Sequence, residues 1–182
     1  MGSHGCEHIS LDPASQSVRQ SSSNNITALG SVQEEYISPT SGEATPIVAP
    51  SANSPSAIDW TSDKASFVAE WAPRIDAYLG SAPLGGYGTT FAEAAWDYGV
   101  DPRWSPAISC IESSKGRNCF RLHNAWGWGD VNWESWDVAI REHVAGLSRG
   151  YGYTISIANA QKYCPPTWQS WYSLVLSEME RI

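Results

Sequence analysis

Ser105-Pro106-Ala107-Ile108-Ser109-Cys110-Ile111-Glu112-Ser113-Ser114 is the stretch on which the reading of this chain turns. Asp101-Pro102 ahead of it has the form of a helix start, a side-chain acceptor followed by a proline with its backbone already set for a first turn. Trp104, Ile108 and Ile111 fall at i, i+4 and i+7, one face of a helix. Charge is absent until Glu112, which closes the segment just before Lys115-Gly116-Arg117-Asn118. A carboxylate at the mouth of an apolar helix is poorly solvated, which raises its pKa and suits a general acid working near neutrality. The alternative is a capped or salt-bridged surface glutamate.

The same 3.6-residue period runs outward from this helix. Upstream, Thr61-Ser62-Asp63 offers caps, and Phe67, Trp71 and Ile75 form a stripe that Tyr78 and Leu79 continue. Pro73 lies inside that stripe and predicts a kink or two abutting helices. Gly80 to Gly88 reads as a loop. Thr89-Thr90 then starts a helix carrying Phe91, Ala95 and Tyr98 that Gly99 closes. Downstream, residues 115–133 read as loop or short hairpin. Ser135 caps a helix with the stripe Trp136, Ile140, Val144 and Leu147. Thr154 or Ser156 begins a short helix to about Tyr163, and Pro165-Pro166-Thr167 starts the last one. No alternating strand run and no internal repeat occurs. The prediction is a mostly α, helical globule over residues 60–182.

Residues 1–59 differ in kind. They are rich in Ser, Thr, Pro, Ala and Asn, and Tyr36 is their one aromatic residue. Such a segment buries too little surface to offset its chain entropy, so it reads as a disordered tether. The 182-residue chain has a formal net charge of −8. Most of that lies ahead of the helical part, where Arg19 is the one base against six acidic residues. No basic patch points to nucleic acid, and no run is long and apolar enough for a membrane span. Met1-Gly2-Ser3-His4-Gly5 lacks the basic start and apolar core of a signal peptide. No Cys-x-x-Cys or His-x-x-x-His spacing occurs, so no metal site is predicted.

All ten tryptophans lie at or after position 60. Trp71, Trp104, Trp136 and Trp168 sit on helix stripes and read as core. Trp126, Trp128 and Trp133 sit among glycines, where flat indoles suit the apolar faces of pyranose rings. At least one of them is expected to stack on sugar. His123 and His143 are able to titrate, and His143 reads as a structural hydrogen-bonder. Tyr87, on a Gly-rich loop, is an outer-subsite candidate.

Four short motifs occur in order. Glu112-Ser113 ends a helix. Asn124-Ala125-Trp126-Gly127 follows the next loop. Trp133-Glu134-Ser135-Trp136-Asp137-Val138-Ala139-Ile140-Arg141-Glu142-His143 then forms a helix, and Tyr163-Cys164-Pro165-Pro166-Thr167-Trp168 forms a turn. Together they resemble the bacterial wall glucosaminidases of glycoside hydrolase family 73, the mannosyl-glycoprotein endo-beta-N-acetylglucosaminidase-like domain of the lysozyme-like superfamily. The Glu-Ser pair is also similar to that of lytic transglycosylases.

The resemblance implies a lysozyme-like fold with a minimal or absent β-lobe. It implies a secreted or wall-associated peptidoglycan hydrolase that cleaves β-1,4 bonds of the GlcNAc-MurNAc backbone. Glu112 is then the general acid, and the Tyr163 hydroxyl orients the N-acetyl group or stabilises charge. Ser113 joins Trp126, Trp128, Trp133 and Tyr87 as a substrate-binding candidate, and Asn124 takes a shared role, meeting the sugar amide and fixing the loop that walls the groove. Family members often carry a second acid in a β-lobe. Here that interval shrinks to Asp130-Val131-Asn132, leaving Asp130, Glu134 and Asp137 as candidates by position, with Asp130 the least explained. Substrate-assisted cleavage or transglycosylation needs no second acid. Cys119 and Cys164 flank loops that should meet at the site, so they are the expected disulfide, with Cys110–Cys119 its rival. The expected partner is the peptidoglycan glycan strand, bound by a monomer without cofactor. A glycan-binding module that has lost turnover is the alternative of another class, and a tethered structural or adhesion head is a third.

Overall fold

Asp63 accepts from the backbone N–H of Ser66 at 2.9 Å and so caps α1, Lys64–Leu79. The computed structural model describes residues 58–182, so the tether read over residues 1–59 lies almost wholly outside them. About 60% of the described residues are helical, and none is in a strand. The elements after α1 are α2, Gly88–Tyr98; α3, Trp104–Ser113; α4, Trp136–Tyr151; α5, Ile157–Tyr163; a 3₁₀ turn, Pro165–Thr167; and α6, Trp168–Met179. Helix α1 packs on α2, α2 on α4, and α3 and α5 on α6.

The predicted stripes are the buried faces except at helix ends, where Tyr98 of α2 is exposed and Ile111 of α3 half-buried. Phe67, Trp71, Ile75 and Leu79 of α1 are buried, as are Trp104 and Ile108 of α3 and Ile140, Val144 and Leu147 of α4. Each side chain of this size contributes roughly 1.5–3 kcal/mol when fully removed from water. Trp71 and Trp104 are core as expected, whereas Trp136 and Trp168 are only half-buried. Ser135 and Ser156 cap α4 and α5 through bonds from Val138 and Asn159.

Two boundaries differ from the sequence reading. A single helix runs through Pro73. Proline there deprives the Ala69 carbonyl of its helical donor, but Ala69 and Pro73 both face solvent, where water can serve. Helix α3 begins at Trp104 and not at Asp101-Pro102. The Asp101 carboxylate still accepts a free backbone N–H ahead of the helix, that of Arg103 at 3.1 Å, and also takes Nε and Nη2 of Arg103, at 2.9 and 2.7 Å, and the Thr154 hydroxyl at 3.3 Å. Proline at position 106 still lies in the first turn, where its missing N–H leaves no helical bond unmade.

The α1–α2 corner depends on close backbone approach. Asp76 Oδ1 accepts from the N–H groups of Gly86 and Gly88, at 2.9 and 2.7 Å, and thereby supplies the cap that Tyr87 does not. A Cβ at Gly88 would stand 2.2 Å from the Ala72 carbonyl oxygen and 2.7 Å from Asp76 Cγ. Gly88→Ala is therefore expected to destabilise the fold by about 2–3 kcal/mol. Urea unfolding checks this as a lowered midpoint with an unchanged slope.

Candidate functional site

Helix α3 ends at Ser113, and the two residues after it, Ser114 and Lys115, both take left-handed backbone, with φ of 54° and 63°. The Lys115 N–H returns to the Ser109 carbonyl at 2.9 Å, which closes the helix sharply. Glu112 thus stands half-buried on the last turn. Its Oε1 accepts from the indole Nε1–H of Trp171, on α6, at 2.7 Å. Trp171 is only 3% exposed and stacks on Tyr163 at 4.6 Å between centroids and 19° between planes.

Tyr163 is 1% exposed, and its hydroxyl donates to the Trp126 carbonyl at 3.0 Å. Burial, and then the negative charge of Glu112, push the phenol well above its ordinary pKa, so it is a neutral donor. The resemblance gives this hydroxyl to the substrate. In the structure it serves the 124–128 loop, while its ring supports the indole that holds Glu112.

The Asn-x-aromatic-Gly loop is a brace. Asn124 Oδ1 accepts from the N–H groups of Trp126 and Trp128, at 3.4 and 2.9 Å, and Nδ2 donates to the carbonyls of Trp128 and Val131, both at 3.1 Å. All the hydrogen-bonding positions of this buried amide are engaged within the loop. Asn124 therefore fixes the loop and has none left for a sugar amide. Ser113 is buried too. Its hydroxyl meets the Ala125 carbonyl at 2.7 Å and accepts from Gly116 N–H at 2.9 Å. It ties the end of α3 to the same loop and does not face substrate.

Trp126 and Trp133 were candidate sugar platforms, and the structure corrects both. Trp126 is 0% exposed, and its Nε1–H donates to the Ser105 carbonyl at 3.0 Å. Its ring stacks on His143 at 4.5 Å and 13°, and His143 Nδ1 meets the Ser105 hydroxyl at 2.9 Å. Trp133 is 9% exposed and packs edge-on against Trp126. Gly127 and Gly129, with φ of 61° and 57°, let the loop fold back so that these indoles turn inward.

Trp128 alone of the three is half-buried. It lies against His143, Tyr151 and Tyr163, in a notch at Gly146, where a Cβ would come within 2.7 Å of its ring. A line of aromatic rings thus leads from Trp128 through Tyr163 to Trp171 and the Glu112 carboxylate. Tyr87 is half-buried at the turn before α2. His123 Nδ1 meets the Trp133 carbonyl at 2.8 Å, which fixes Nδ1 as its protonated nitrogen.

The positional second acids are placed for other tasks. Asp130 is 92% exposed and bonds Arg121 at 2.7 Å across its loop. Asp137, in the first turn of α4, accepts from the Thr90 hydroxyl at 2.8 Å. Glu134 is exposed.

The expected Cys119–Cys164 disulfide is not formed, nor is the rival Cys110–Cys119. Cys110 and Cys119 are free thiols, whereas Cys164 is disulfide-bonded. Cys119 instead points its Sγ at the Gly116 carbonyl, 3.4 Å away, and burial pushes its thiol pKa up. Alkylation without reductant should label Cys110 and Cys119, the latter slowly near neutral pH, and leave Cys164 unlabelled until reduction. A peptide map showing Cys119 linked to Cys164 would contradict the structure.

No protein-family model matches this chain, and no curated protein matches it. Among the described residues no helix is long and apolar enough to cross a membrane.

Proposed function

We propose that this chain is a peptidoglycan hydrolase that cleaves a β-1,4 bond of the GlcNAc-MurNAc backbone, with Glu112 as general acid. The observation that carries the reading is the seating of Glu112. It stands at the end of an apolar helix, and one carboxyl oxygen is held at 2.7 Å by an indole N–H inside an aromatic stack. The ordered motifs that resemble those of family 73 suggest the substrate class.

Protonation of the glycosidic oxygen by Glu112 lets the bond break through an oxocarbenium-like transition state. Asp130 is bonded to Arg121 on an exposed loop, which is a poor setting for the base of an inverting pair. We therefore favour a path in which Glu112 acts alone, first as acid and then as base. The nucleophile then comes from the substrate. If the N-acetyl group supplies it, the products are those of an N-acetylglucosaminidase. If the muramic 6-hydroxyl supplies it, they are those of a lytic transglycosylase, the second reading.

The test is clearing of purified peptidoglycan sacculi. Wild type should solubilise them, and Glu112→Gln at equal concentration should not. Clearing by both alike would end the reading.

A further inference from the structure

Trp171 belongs to none of the four motifs and lies on the buried face of α6 with Val175 and Met179. We propose that it is the positioning residue of the site, which turns Glu112 toward its substrate and decides which carboxyl oxygen delivers the proton. The inference rests on the hydrolase reading and adds a residue to it.

The argument starts from donor chemistry. An indole nitrogen carries one N–H and accepts nothing. The Glu112 oxygen 2.7 Å from it is therefore an acceptor whenever that bond is made. In a protonated carboxyl the carbonyl oxygen accepts well and the hydroxyl oxygen poorly. With that bond made, the transferable proton of a protonated Glu112 resides on its other oxygen, Oε2. A carboxyl on a long side chain otherwise samples several rotamers and carries its proton on either oxygen. Holding one oxygen removes that freedom before the substrate arrives, which is the kind of preorganisation that lowers a barrier without adding ground-state affinity.

The indole is itself held on several sides. Trp171 stacks on Tyr163, whose hydroxyl is fixed by the Trp126 carbonyl at 3.0 Å. Trp126 is fixed in turn by the Ser105 carbonyl at 3.0 Å, on the first turn of the helix that bears Glu112. Val175 and Met179, one and two turns further along α6, are buried and anchor that helix. The donor and the carboxylate are thus tied to the same frame. The resemblance assigns the tyrosine a direct role; in this frame it acts through the tryptophan.

Trp171→Phe keeps a ring for the stack and removes the N–H. It is expected to lower kcat on solubilised glycan strands by about 10–100-fold, in line with a misplacement of about 1 Å, with KM within about two-fold. A second readout needs no turnover. The Trp171 indole proton of the wild-type protein should resonate downfield of an ordinary indole in a ¹H–¹⁵N spectrum. Recorded at alkaline pH, where the wild-type carboxyl is ionised, it should lie upfield in Glu112→Gln, whose neutral oxygen is a weaker acceptor than a carboxylate.

A folded Trp171→Phe with unchanged kcat would overturn the positioning role, and so would an indole resonance identical in wild type and Glu112→Gln. Comparing wild type with Glu112→Gln for turnover tests the hydrolase reading separately. If wild type released no glycan fragments, that reading would fall and the positioning role with it. If only Glu112→Gln were inactive, the reading would stand and the role would not.

Discussion

Glu112→Gln should lower the rate of glycan release by about 10³-fold, within the range that a positioned general acid supplies. The substitution is nearly isosteric, and its amide oxygen still accepts from Trp171, so the melting temperature should stay within a few degrees of wild type. What is lost is the proton, because an amide cannot protonate a glycosidic oxygen. Glu112→Asp makes the complementary point. It keeps the acid but retracts it by about one C–C bond and out of reach of the indole. A misplacement of about 1 Å costs about 10²-fold, so the aspartate protein should also be nearly inactive. A surface carboxylate without a catalytic role would tolerate both changes. Rates from dye-labelled sacculi, with thermal melts alongside, separate these outcomes.

Trp126→Ala should cost about 3–5 kcal/mol of stability and lower the melting temperature by more than about 10 °C. The ring is wholly buried between His143, Phe91 and Trp133. Removing it leaves a cavity and takes away the indole donor that the Ser105 carbonyl accepts. A sugar platform would behave in the opposite way, with the melting temperature unchanged and only the affinity for glycan reduced. Scanning calorimetry and binding to insoluble sacculi tell the two apart.

Trp126 shows where reading along the chain stops working. Helix ends and faces were legible because they are local. Ser135 and Ser156 cap the helices that follow them, and the stripes from Phe67 to Leu79 and from Ile140 to Leu147 are buried as their period requires. Indoles set among glycines look exposed when only neighbours in sequence are considered. Yet the same glycines, with left-handed backbone, are what allow the loop to fold inward. The Asp76 cap of α2 escaped notice because the cap lies on the preceding helix, 12 residues ahead of Gly88. Asp101-Pro102 marks the approach to α3, where the carboxylate binds both the backbone N–H and the guanidinium of Arg103 and the helix begins two residues later.

The candidate site divides along the same line. Glu112 was visible as the one charge closing an apolar helix. Trp171 was not, because it is 59 residues away and on an ordinary helix stripe. Motif matching gave the Tyr163 hydroxyl to the substrate and gave Asn124 a shared role, of which the structure shows the loop-fixing part. Their hydrogen bonds go to the protein's own loop. A motif preserves which residue stands where, and only the fold shows which way its polar atoms point.

The most direct measurement is mass spectrometry of the soluble fragments released from purified peptidoglycan by the wild-type protein. The account predicts glycan-backbone cleavage, with fragments ending either in reducing N-acetylglucosamine or in anhydromuramic acid, and none from Glu112→Gln. Sacculi that bind the wild-type protein and release nothing would contradict it, and would make this domain a glycan-binding module.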